Sequence, residues 1–213
     1  KFRASDDVLT KRLEVEPLPE LSRDIPEMKD GKIVTVKLRR TLDLPGLQEL
    51  CSVILPQVEA NLYNSYIYAE QATVYRRLPT RIVPKGSLLW HSDNHYEGVI
   101  KIMIYLTDVT QKDGPFDYLE HGVSKKQIRI EASMPQYYPS GRVPEEVINE
   151  YLNDGYREKR VIGQKGTFLL FDDKIIHRGL PPESGIRDVL VLQLRPSTFR
   201  RKHFLDTAYT TSF

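Results

Sequence analysis

The chain has 213 residues, of which 40% are hydrophobic and 28% charged, enough apolar material for one globular domain with a substantial core. Its 31 Lys and Arg against 29 Asp and Glu leave a net charge of +2, too even a balance to mark a nucleic-acid surface. No run of ~18 apolar residues offers a membrane span.

One cysteine, Cys51, leaves no intrachain disulfide and fits a reducing compartment. With no charged-then-apolar leader in the sequence, the expectation is a cytoplasmic protein. Cys51 lies among apolar residues and reads as a small core hydrophobe.

Residues 1–40 are charged and carry Pro17, Pro19 and Pro26; an irregular arm with one strand, 32–37, is expected. Asp43-Leu44-Pro45 has the form of a helix start, since proline is tolerated in the first turn. Leu47, Leu50, Cys51, Ile54, Leu55, Val58 and Leu62 then recur at three- and four-residue intervals. This predicts an amphipathic supporting helix over 43–62.

Strand character follows at Tyr66-Ile67-Tyr68-Ala69 and Gln71-Ala72-Thr73-Val74-Tyr75, rich in aromatic and β-branched residues. Arg76, Arg77, Arg81 and Lys85 read as solvated loop cations, with an anionic substrate as the alternative. Residues 98–106 form one apolar strand, and 110–115 a turn around Gly114-Pro115. Residues 121–160, with Tyr137, Tyr138, Tyr151 and Tyr156 and a short helix near 145–152, read as a lid-like insertion. Two buried strands are expected at 166–171 and 189–194.

Many short strands, one substantial helix and no βαβ rhythm define the expected fold class. It is mainly β with flanking helices around a double-stranded β-helix, a jelly-roll or cupin-like core, in a single domain spanning 1–213 with its core at 65–196. Such a barrel brings the ends of distant strands to one mouth.

Two short segments carry chemistry: Trp90-His91-Ser92-Asp93 and His177-Arg178-Gly179. Two residues apart on a strand, His91 and Asp93 point to one side. Two histidines and one carboxylate on one face of an ion leave the other positions open, the ligand pattern of non-heme Fe(II) oxygenases. A closed zinc site generally needs cysteines, and only Cys51 exists. Arg187, at the start of an apolar strand, suits a carboxylate co-substrate; otherwise it is a surface arginine paired with Asp188 or Glu183. His95 reads as a metal-side or substrate-facing residue or as an ordinary packed histidine.

At these residues the chain resembles the phytanoyl-CoA dioxygenase family of Fe(II)/2-oxoglutarate oxygenases. The family's first ligands read Trp-His-x-Asp, and its ectoine hydroxylases share Trp-His-Ser-Asp. Tyr105-Leu106-Thr107-Asp108, Gly114-Pro115 and Gly166–Phe171 followed by His177 match further, while Leu119-Glu120-His121-Gly122 replaces the usual Pro-Gly-Ser-His turn. The resemblance implies His91, Asp93 and His177 as iron ligands, and Arg187 on the distal carboxylate of 2-oxoglutarate. Tyr75 would contact 2-oxoglutarate, and Thr73 the substrate. It also implies a hydroxylase using Fe(II), 2-oxoglutarate and O2 on an unactivated C–H bond of a small molecule, releasing succinate and CO2. Desaturation, epoxidation and ring formation share that chemistry. The alternatives are a cupin-like isomerase or hydrolase without 2-oxoglutarate, and a non-catalytic binding domain.

Overall fold

A computed structural model of the chain describes residues 25–29, 32–37, 46–79, 86–93, 98–120 and 142–201. His95, the segment Asp43-Leu44-Pro45 and residues 121–141 of the expected insertion lie outside these. Elements in chain order are strands β1 (Ile25–Lys29) and β2 (Lys32–Lys37), helix α1 (Leu47–Val58), β3 (Tyr66–Arg77), β4 (Ile100–Tyr105), β5 (Phe116–Glu120), helix α2 (Glu145–Asn153), β6 (Arg157–Val161), β7 (Phe168–Asp172), β8 (His177–Gly179) and β9 (Arg187–Ser197). Among the described residues they make two antiparallel sheets: a large one ordered β1-β2-β3-β9-β4-β7, and a small one ordered β6-β5-β8. This is the mainly-β jelly-roll class expected.

The large sheet has two chemically different faces. Ala72, Leu192, Ile102 and Leu170 oppose one another across β3, β9, β4 and β7, and Val74, Leu190, Ile104 and Phe168 form the next row on that side. Most of these rows is buried under α1, whose Leu47, Leu50, Cys51, Ile54, Leu55 and Val58 are the positions the helical periodicity marks. Each such side chain contributes about 1.5–3 kcal/mol of burial. Cys51 is fully buried, and burial pushes its thiol up to about 12, so it is an inert packing group. The helix is shorter than expected: it begins after Gly46, whose φ is +79°, and beyond Val58 the coil widens into one π-type turn, Glu59–Tyr63.

The two expected strands at 66–69 and 71–75 are one. The pairing with β9 slips between Ala69 and Gln71, so Glu70 is a bulge residue. The extra residue keeps Ala69 and Ala72, three apart, on the same apolar face. The expectation of loop cations also changes here. Arg76 and Arg77 end β3, where Arg76 forms a two-pronged ion pair with Asp188 at 2.7 and 2.8 Å and Arg77 is 9% exposed. β7, expected to be buried, is an edge strand whose Phe168 and Leu170 are each 38% exposed.

The described part of the expected insertion is packed structure. α2 buries Ile148 and Tyr151 against Trp90, Leu119, Val143 and Ile176, and β6 pairs with β5 along its full length. Residues 142–160 therefore support the small sheet.

Candidate metal centre

The small sheet supplies the histidines. His91 and His177 are cross-strand partners joined by two backbone hydrogen bonds, His91 N–H to His177 O at 2.9 Å and His177 N–H to His91 O at 2.8 Å. Alternation along the chain sends His91 toward the large sheet and Trp90 the other way, into the α2 core. Asp93, two residues on, is anchored by its N–H to the Asp173 carbonyl at 3.1 Å. One ligand atom from each of His91, Asp93 and His177 lies within 4.8 Å of the others.

Each imidazole is held in one tautomer. Nδ1 of His91 lies 2.8 Å from the Leu89 carbonyl, and Nδ1 of His177 lies 2.9 Å from the Ile175 carbonyl. A carbonyl only accepts, so each Nδ1 carries the proton and each Nε2 keeps a lone pair. Those Nε2 atoms lie 3.8 and 3.5 Å from the two Asp93 carboxylate oxygens.

Burial lowers the His91 pKa to about 3, helped by the nearby His177, and burial also lowers that of His177 against the opposing pull of Asp93. Both rings are neutral at physiological pH, as metal ligation requires. For Asp93, burial pushes the pKa up, but the charges of His177, Lys101 and His91 prevail and the net direction is down. With both imidazoles neutral, the cation that faces this carboxylate is Lys101, whose Nζ donates to Oδ2 at 2.5 Å. The donor set, two neutral imidazoles and one carboxylate open on one side, fits Fe(II).

Arg187 does not take either of its alternative partners as a surface arginine. Asp188 pairs with Arg76, and Arg187 is 3% exposed with its Nε buried and unbonded among the described residues. Its guanidinium donates to the Gly114 carbonyl. Burial, then the neighbouring Arg77, lowers its pKa to about 10. Two buried arginines oppose each other directly across β3 and β9. Their site opens beside Gly179, where an added Cβ would stand 3.3 Å from Arg187 Nη2. Gly179 is two residues beyond His177, about 7 Å along the strand, a span suited to a five-carbon diacid running from metal to guanidinium.

The inner face of the large sheet lies between these ends. Gln71, Gln193, Lys101 and Phe171 form one row, Thr73, Val191, Met103 and Leu169 the next, and Tyr75, Val189 and Tyr105 the third, one step from Arg77 and Arg187. Thr73 and Tyr75 thus both stand on the site's face, Tyr75 nearer the arginines. Lys101 is a residue of this face that the sequence reading missed, and Arg77, raised there only as an alternative to a loop cation, stands beside Arg187. The signal for Lys101 was a cation inside an otherwise apolar strand.

No protein-family model matches this chain, and no curated protein matches it. Solved structures match in fold. HygX from Streptomyces hygroscopicus with nickel and 2-oxoglutarate bound is 17% identical, with 93% of this chain and 81% of that one covered at a TM-score of 0.55. EctD from S. alaskensis with bound Fe is 16% identical, with coverage of 98% and 72% and a TM-score of 0.59. The non-heme alpha ketoglutarate dependent carbocyclase SnoK from nogalamycin biosynthesis is 15% identical, with coverage of 84% and 76% and a TM-score of 0.56. At these identities the likeness is one of fold. It places the chain among double-stranded β-helix proteins that include non-heme oxygenases.

Proposed function

We propose that this protein is an Fe(II)- and 2-oxoglutarate-dependent oxygenase, similar to the phytanoyl-CoA dioxygenase family, that hydroxylates a small molecule. The observation that carries the reading is the pairing of the His91, Asp93 and His177 cluster with Arg187, buried at the start of β9 beside Gly179 and with no carboxylate bonded to it among the described residues. A cupin-like isomerase or hydrolase has no use for that arginine, and a silent binding domain has no use for either. The protein would act in the cytoplasm. No helix among the described residues is long and apolar enough to cross a membrane.

His91, Asp93 and His177 would hold the iron. Bound Fe(II) with 2-oxoglutarate and O2 supplies the oxidation that turns R–H into R–OH, with succinate and CO2 as the other products. The protein's part is positioning. Arg187, with Arg77 beside it, meets the distal carboxylate in a water-poor site where a charge-assisted pair is strong. Nδ1–H bonds to Leu89 and Ile175 keep both imidazole lone pairs aimed at the metal. Phe116, whose ring stacks 5.2 Å from His177, and Phe171, 5.6 Å away, exclude water from that flank.

The test is anaerobic titration with Fe(II) and then 2-oxoglutarate. A visible charge-transfer band near ~500–530 nm is expected, since it reports keto-acid chelation at an open facial site. Succinate release on admitting O2 should follow. Metal binding without the band would favour the cupin alternative, and no metal binding would sink both.

A further inference from the structure

The geometry points to a substrate bearing an anionic group, a carboxylate or a phosphate, that docks on the Lys101 ammonium, with hydroxyl or amino donors beside it received by Gln71 and Gln193. This deepens the oxygenase reading and rests on it.

Lys101 interrupts the apolar run of β4, and its side chain is only 15% exposed. An ammonium so buried is costly unless it meets a counter-charge, and here it meets Asp93 Oδ2 at 2.5 Å. That carboxylate is also the proposed metal ligand. A divalent ion on Asp93 takes up its negative charge, and Lys101 then has too little to balance it. Two further cations lie near Asp93. Lys174 Nζ donates to the Asp93 carbonyl at 3.0 Å, and Arg142, bridged to His91, is near enough to feel the charge of Asp93.

Among the described residues, the carboxylate that reaches this row from β3 is Glu70, and it is already engaged. Glu70 is held by Arg195 at 2.6 Å and by Gln193 Nε2 at 2.9 Å. 2-Oxoglutarate does not answer the charge either. Its keto-acid carboxylate, together with Asp93, would balance the two charges of the ion, and its distal carboxylate would be met by Arg187, toward the other end of β9 from the Lys101 row. The remaining counter-charge must come from the substrate.

The row also sets the neighbouring groups. Gln193 spends its Nε2–H on Glu70, and Gln71 spends its own on Thr73 Oγ1 at 3.2 Å. Those bonds turn each amide so that its carbonyl oxygen is left to accept from a hydroxyl or amino group, with one further N–H on each nitrogen. The apolar member of the row is Phe171, beside the metal. Such a surface suits a compact polar acid and disfavours a fatty acyl chain, whose burial would leave these groups unpaired.

The experiment uses the anaerobic Fe(II)·2-oxoglutarate complex of the full chain, at saturating 2-oxoglutarate and fixed ionic strength. Acetate, inorganic phosphate and the neutral acetamide are titrated in turn, and the charge-transfer band is followed. Acetate or phosphate should perturb the band saturably and acetamide should not; the tighter of the two anions tells carboxylate from phosphate. Measured against each variant's own anion-free band, the anion effect should weaken at least tenfold in Lys101→Met and return in Lys101→Arg. A band indifferent to both anions, or anion effects equal in wild type and Lys101→Met, would overturn the substrate class and leave the oxygenase reading standing. An absent band in the wild type overturns both. The comparison of acetate with acetamide on the wild type decides the matter even if Lys101→Met folds poorly.

Discussion

Replacing Arg187 by methionine should make the protein more stable and, at the same time, unable to hold 2-oxoglutarate. Methionine keeps the length and removes the charge. Burial and Arg77 bring the Arg187 pKa down to about 10, roughly two and a half units below an ordinary guanidinium. At about 1.4 kcal/mol per unit, the charged form therefore costs the fold about 3 kcal/mol at neutral pH. The hydrogen bond to the Gly114 carbonyl returns about 1 kcal/mol. The net expectation is a ligand-free variant about 2 kcal/mol more stable, seen as a higher urea midpoint at unchanged slope. For 2-oxoglutarate, losing two charge-assisted bonds at roughly 1.5–3 kcal/mol each predicts a dissociation constant raised at least a hundredfold. Fe(II) affinity should be unaltered. A variant that is less stable than wild type, or that binds 2-oxoglutarate normally, would show that Arg187 is a structural cation and refute the reasoning.

Asp93→Ala should abolish Fe(II) binding in calorimetry while circular dichroism stays native, because Asp93 provides a ligand and little core. Asp117 is fully buried and holds Arg160 through two bonds at 2.8 and 2.9 Å and Arg178 at 3.3 Å; Asp117→Asn should cost about 3 kcal/mol of unfolding free energy and loosen β8. Leu192→Ala, at a position with no exposure, should cost about 3 kcal/mol by leaving a cavity under α1. For the metal-free protein, the buried histidines have folded pKa values below the unfolded 6.5. The unfolded chain binds their protons first, so their stabilising effect is full above pH 6.5. It fades as pH falls below 6.5, for His91 down to about 3, at about 1.4 kcal/mol per unit for each ring. Urea midpoints between pH 7.5 and 5 check this, and a flat profile would contradict the burial of both rings.

The candidate ligand cluster and the buried Arg187 could be picked out in the sequence because their pattern is local: His-x-Asp at a strand end, a second histidine after an apolar strand, an arginine opening another. α1 was readable for the same reason, its spacing being a property of one segment. β5 and β6 were not. Arg157-Glu158-Lys159-Arg160 has no apolar alternation, and it forms a strand because Asp117 of β5 pairs with Arg160 and the backbone ladder follows. The pairing partner, 43 residues away, is invisible from either segment alone. Arg77 was taken for a loop cation because Pro79 follows so closely. Its role depends on the register that sets it opposite Arg187.

The reciprocal hydrogen bonds between His91 and His177 have a consequence for how a metal would be taken up. The separation of the two rings is set by main-chain bonds, so the spacing of the two imidazoles belongs to the fold. An ion held there would not have to build the domain, unlike a zinc finger, where the ion does. A chelator should then remove such an ion without unfolding the chain.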